Sequence, residues 1–201
     1  MPVSFECRAE AGICERVEGN IKVLLERAGF GGEVNIRVVI GRPEGCAGPC
    51  VFYDPSSEED MATFDALASI FTFALGGYLS RMGAACKYWL VDGLAAALAS
   101  RVVEEAFPGF SGRLEGGAEG LVGEDQLEER FGALMLAGPG MVTLRGGKGP
   151  EDAVKAAAAA LEYLNNQAFR ASAVKAVRAR LKRDPSSWSE ALQAVEALCK
   201  A

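Results

Sequence analysis

The chain has 201 residues, half of them apolar and about a quarter charged, which is enough apolar surface for a folded core and argues against disorder. Its net charge is −6, a balance that disfavours general nucleic-acid binding. It contains no histidine, which excludes a histidine-ligated zinc enzyme and a histidine-based hydrolase.

The length suits one domain, or one domain with two lobes. Residues 1–12 lack the basic start and apolar core of a signal peptide. The longest apolar stretches, 66–75 and 94–99, are too short to span a bilayer. These features lead to the expectation of a soluble cytoplasmic protein with no membrane partner.

In chain order, the apolar residues Ile13, Val17, Ile21, Val23, Leu24 and Leu25 predict a helix over 13–29, stopped by Gly29 and the Gly31–Gly32 pair. Val34, Ile36, Val38 and Ile40 alternate as a strand rich in β-branched residues. A turn-rich loop follows over 41–48, and residues 50–53 read as a second strand. Ser56 and Glu59 fit a capping box, predicting a helix that runs to about Met82. That helix is apolar nearly all round and therefore belongs in the core. A second buried helix spans 87–107 and stops at Pro108-Gly109.

Residues 109–123 are glycine-rich, and 124–130 are acidic with a helical pattern. Met141 to Leu144 reads as a short strand, and Pro150 sits at a helix start. Helices are expected over 151–165, 167–183 and 188–199, the last with a capping box from Ser187 and Glu190. The expected class is α+β: a small N-terminal sheet with helices, two central buried helices and a mostly helical C-terminal lobe. The lobes divide at 1–108 and 109–201 within a single compact domain.

Two readings carry chemistry. Residues 71–95 hold Phe73-Ala74-Leu75-Gly76-Gly77-Tyr78-Leu79 on one helix and Trp89-Leu90-Val91-Asp92-Gly93-Leu94-Ala95 on the next. This segment resembles the core of the gluzincin zinc metallopeptidases, in which one helix carries His-Glu-x-x-His and a second supplies the third zinc ligand. In that resemblance Phe73 and Gly77 stand where the histidines would be, Ala74 replaces the general base, and Asp92 takes the third-ligand position. The resemblance implies a relic site that holds no metal or other cofactor. It also implies a non-catalytic protein that binds a peptide or protein partner, or serves as a scaffold.

From the residues themselves, paired glycines at 76 and 77 cost about 1 kcal/mol each in a helix and point to close approach of another segment. Asp92 lies on an apolar face and needs a cation or hydrogen-bond donors. Arg101 is out of phase with it, so those donors must come from elsewhere. The prediction is that Phe73, Gly77 and Asp92 face one another.

The second reading concerns the six cysteines. Cys7, Cys14, Cys46 and Cys50 lie in the loop-rich N-terminal part and are candidates for a disulfide or for redox chemistry. Cys46 and Cys50 carry the alternative function, a thiol/disulfide-active enzyme, although the segment after Cys50 reads as a strand rather than the helix such a motif needs. A four-cysteine metal site has the ligand type without the usual spacing. Arg outnumbers Lys, and Asn and Gln are scarce, a composition that leans toward a thermophile, where intracellular disulfides occur. Cys86, at the start of a buried helix, is expected to stay a thiol. The glycines at 146, 147 and 149 read as a turn, and the basic run from Arg170 to Arg183 as a solvated helix face.

Overall fold

The computed structural model describes residues 2–116 and 119–200. Strand β1 (Val3–Arg8) leads into helix α1 (Ala11–Arg27), which returns the chain to β2 (Ile36–Gly41). β2 pairs with β1 in parallel, Val3 opposite Ile36 and Arg8 opposite Gly41. Helix α1 buries Cys14, Val17, Ile21, Leu24 and Leu25, a single stripe at helical spacing that lies in the core. It ends where Gly29 takes φ +63°, letting the Phe30 N–H reach back to the Leu25 carbonyl. That bond satisfies one of the last carbonyls of the helix.

Strand β3 (Cys50–Tyr53) pairs with the other side of β2, also in parallel, with Arg37 opposite Cys50 and Ile40 opposite Tyr53. The sheet order β1-β2-β3 leaves β3 at an edge. Its connection from β2 is the loop 42–49 alone. So short a parallel link closes because β3 meets only the Arg37–Ile40 stretch of β2.

Helix α2 (Glu59–Arg81) and helix α3 (Tyr88–Ala106) pack on each other through the middle of the molecule. Almost every side of each is covered, from Phe64, Phe71 and Leu75 on α2 to Trp89, Leu94 and Leu98 on α3. α2 is long and apolar enough by composition to cross a membrane, but 78% of that stretch is buried inside this protein. The capping box expected at Ser56 does not form. Asp54 instead accepts the Ser56 N–H at 2.9 Å and both nearby hydroxyls, so the turn belongs to Asp54 and the helix starts three residues later.

Strand β4 (Cys86–Lys87) joins α2 to α3 and pairs antiparallel with β5 (Leu134–Gly138), which pairs with β6 (Met141–Leu144). Short helices α4 (Phe110–Gly116) and α5 (Glu124–Phe131) lie between α3 and β5. Helix α6 (Pro150–Asn165) begins at its proline, preceded by the Gly146–Gly149 turn, and α7 (Gln167–Leu181) and α8 (Trp188–Cys199) complete the chain. The architecture is α+β. The parts on either side of 108/109 are joined by packing: β4 from the first pairs with β5 from the second, and α7 packs on α3. One core holds both parts. Trp188 pins its far end, donating its N–H to the Ala28 carbonyl while its ring packs on Phe30 and Phe71.

Candidate functional site

Asp92 is fully buried on α3. Its carboxylate accepts from Tyr163 Oη at 3.0 Å and from Arg170 Nε and Nη2 at 3.0 and 2.9 Å, and it lies 3.0 Å from Thr72 Oγ1, whose single proton is shared with the Ala68 carbonyl at 2.8 Å. The two from Arg170 form a bidentate fork, the strongest geometry for this pair. The third guanidinium nitrogen, Nη1, donates to Asp65 Oδ1 at 3.0 Å. Burial alone would pull the Arg170 guanidinium down, but the Asp92 charge, its hydrogen bonds and Asp65 more than reverse this, holding it above its ordinary range. Tyr88 and Tyr163 line the same chamber. Burial, reinforced by the Asp92 charge, pushes both phenols up, so both stay protonated.

The backbone makes this closure. A Cβ added at Gly93 would lie 2.8 Å from the Ala173 carbonyl oxygen and 3.0 Å from the Ala173 Cβ. Glycine therefore lets α7 approach α3 one residue from Asp92, which is what brings Arg170 within reach. Gly76 plays the same part on α2, where a Cβ would meet the Gly138 carbonyl oxygen at 2.7 Å.

Not all of the expected relic residues share this chamber. Thr72, not Phe73, meets Asp92. The Phe73 ring packs under Gly140 in the β5–β6 turn, and Ala74 lies toward Gly32. At Gly77 the nearest neighbours are Val34 and Pro139. The two helices are neighbours, but successive residues of a helix turn by about 100°, so a face holding Asp65 and Thr72 directs positions 73 and 77 elsewhere. The expectation that Phe73, Gly77 and Asp92 face one another is not met.

The four N-terminal cysteines form two disulfides, Cys7–Cys14 and Cys46–Cys50. The expectation of a thiol at Cys86 is overturned. Cys86 lies in β4 rather than inside a helix, and the last residue of α8 brings Cys199 to a Cα separation of 5.4 Å, where the two are bonded. Cys50 opens strand β3, so neither Cys46 nor Cys50 has the helix N-terminus that would activate a thiol. Among the described residues no group of three or more histidine, cysteine or acidic side chains is arranged to hold a metal ion.

The basic run is a solvated face only in part: Lys175, Arg180, Lys182 and Arg183 are exposed, but several of its arginines are committed. Arg170 is buried, Arg178 pairs with Glu115 and Asp184, and Arg180 pairs with Glu124. Glu104 is likewise committed, accepting the backbone N–H groups of Gly109 and Ser111 at 2.6 and 2.7 Å. Sequence reading missed Arg170 as the partner of Asp92. The available signal was its place in an apolar stripe with Phe169, Ala173, Val174 and Val177, where a cation requires an anion.

No protein-family model, curated protein or solved structure matches this chain.

Proposed function

We propose that this chain is a non-catalytic binding or scaffold module, in which the helix pair that resembles a gluzincin core serves as structural support. The observation that carries this reading is the closed Asp92 chamber. Each oxygen of the carboxylate takes one arm of the Arg170 fork, and the Tyr163 and Thr72 hydroxyls cover its remaining sides. A carboxylate engaged in this way by buried donors has no open side for a metal ion or a substrate, because any new partner must displace an arginine fork. In the gluzincin resemblance the general base is replaced by Ala74, which has no group to offer.

The surface best suited to a peptide or protein partner in this reading is the open edge of β3. The Arg37 N–H bonds the Pro49 carbonyl, and parallel register then turns the N–H and C=O of Phe52 away from β2. The Phe52 side chain is 42% exposed between buried Val51 and Tyr53. An extended peptide added here would gain main-chain hydrogen bonds and an aromatic contact. A cytoplasmic setting for such a module is compatible with three disulfides in the cytosol of a hyperthermophile.

The test pairs two measurements. Peptide hydrolysis is followed with and without added zinc, in the native protein and in Asp92→Asn; no turnover above buffer is expected. Random peptides displayed on phage are selected on the native protein and on Phe52→Pro, which removes the outward donor. Sequences enriched on the first and lost on the second are expected. Zinc-dependent hydrolysis abolished by Asp92→Asn would overturn the non-catalytic reading, and peptides that bind both proteins equally would overturn the edge of β3.

A further inference from the structure

The Cys86–Cys199 disulfide lies in a cleft of about 220 Å³ whose walls include Lys87, Arg145 and Arg180, with Leu90, Met135 and Leu198 as its apolar part. We propose that this disulfide is a thiol-exchange site for small anionic thiols, with Cys199 the sulfur attacked and Cys86 the leaving thiolate. The charge around the cleft is uneven in a useful way. Lys87 is bonded to Glu128 at 2.6 Å, and Arg180 is paired with Glu124. Among the described residues Arg145 has no carboxylate within ion-pair distance, although Glu128 is near enough to feel its charge; its guanidinium donates to the Met135 sulfur at 3.8 Å. It is the cation left to receive the carboxylate of an incoming thiol.

The two sulfurs differ in electrostatic setting. Cys86 immediately precedes Lys87, the N-cap of the 19-residue helix α3. A helix N-terminus stabilises a thiolate. Cys199 is the last residue of α8, and the C-terminal end of a helix disfavours negative charge. Exchange is faster when the departing sulfur is the better-stabilised anion. Cys199 is also half-buried, whereas Cys86 is buried, so the sulfur better placed for attack is the one that should not leave.

The step balances without an outside oxidant. The incoming thiolate forms a bond to Cys199 Sγ, the Cys199–Cys86 bond breaks, and Cys86 departs with the electron pair. One disulfide is consumed and one mixed disulfide forms. A second equivalent of small thiol, attacking the mixed disulfide, releases the oxidised small molecule and leaves Cys199 as a thiol. The covalent tie between β4 and the end of α8 is then open.

The same molecule supplies its own control. Cys7–Cys14 is flanked in sequence by Glu6, Glu10 and Glu15 and by Arg8 and Arg16, and both arginines are paired, Arg8 with Glu6 and Arg16 with Glu59; Cys7 is exposed. It should therefore be reachable but offer an anionic thiol no unpaired cation.

The experiment incubates the native, fully oxidised protein with glutathione or with uncharged 2-mercaptoethanol at equal thiolate concentration. Reactions are quenched with N-ethylmaleimide, and each disulfide is resolved by peptide mass spectrometry. The ratio of glutathione to mercaptoethanol rates should be about tenfold higher at Cys86–Cys199 than at Cys7–Cys14, the scale of steering by local charge. Glutathione should be found on Cys199 and maleimide on Cys86, and Arg145→Ala should lower the ratio at this disulfide alone. Equal ratios at the two disulfides, glutathione on Cys86, or no exchange at Cys86–Cys199 would each overturn the proposal.

Discussion

Gly93 lies against the carbonyl of Ala173, and this contact between α3 and α7 sets the distance across which Arg170 grips Asp92. The two features form one device. A glycine removes the bulk that would separate the helices, and the ion pair one residue away uses the closeness gained.

Gly93→Ala is accordingly expected to destabilise the fold, although alanine is the better helix former. The new methyl would meet the Ala173 backbone, not the tip of a flexible side chain. Overpacking of this kind costs about 1–3 kcal/mol. Urea unfolding of the two proteins measures it, and an unchanged or higher midpoint would show that α7 shifts without penalty.

Asp92→Ala removes the anion and leaves Arg170 buried against Tyr163, which also loses its acceptor, while Thr72 keeps the Ala68 carbonyl. Breaking one side of a buried pair costs about 3–5 kcal/mol. The double variant Asp92→Ala/Arg170→Met should recover part of this loss, because the stranded cation goes too, and Asp65 is half-exposed and tolerates losing its partner. A double variant less stable than Asp92→Ala would mean that Arg170 is held by something other than Asp92.

Much of this architecture was legible because apolar periodicity is a strong signal. α1, α2, α3 and the strands at Ile36 and Cys50 follow from it. β1 was not legible, because Glu6 and Arg8 interrupt its apolar pattern, and their pairing with each other is a fact of the folded state. β5 was hidden by its composition, since Leu134–Gly138 carries no β-branched residue. The need of Asp92 for a partner was legible, but the partner lies 78 residues away in a run of charges. Nothing local distinguishes Arg170 from Arg178 or Arg180 except the apolar residues around it. The direction of Phe73 was misjudged because a motif fixes spacing along a helix, while the neighbouring elements decide which face meets which.

Acid should weaken the join between α3 and α4 through Glu104. The Ser111 and Gly109 backbone N–H groups hold its carboxyl below the usual carboxylate range. In the unfolded chain the group has its ordinary value and takes up a proton first as pH falls. The stabilisation is therefore fully present above that ordinary value and is lost as pH falls through the lower folded value. Glu104→Gln should be less stable than the native protein at neutral pH and should lose less on acidification. Urea midpoints compared at neutral and acid pH test this, and parallel decline of the two proteins would remove Glu104 from the account.

The three disulfides should differ widely in what they contribute to stability. Cys46–Cys50 and Cys7–Cys14 join residues 4 and 7 apart, whereas Cys86–Cys199 joins residues 113 apart. A cross-link restricts the unfolded chain more as the closed loop lengthens, giving about 2 kcal/mol for the shortest loop and about 5 kcal/mol for the longest in the chain-entropy view. Serine pairs replacing each disulfide in turn should therefore lower thermal stability most at Cys86/Cys199. Two local effects sharpen the expectation. Cys86 is buried beside the start of α3, so a hydroxyl there needs a partner that sulfur did not. Losing the tie also loosens the end of α8, whose remaining anchors include the Tyr78–Glu196 hydrogen bond and the packing of Trp188. Calorimetry of the three variants gives the ranking directly. If the Cys46/Cys50 variant lost as much as the Cys86/Cys199 variant, loop length would not be the controlling quantity, and native contacts around the 42–49 loop would have to supply the difference.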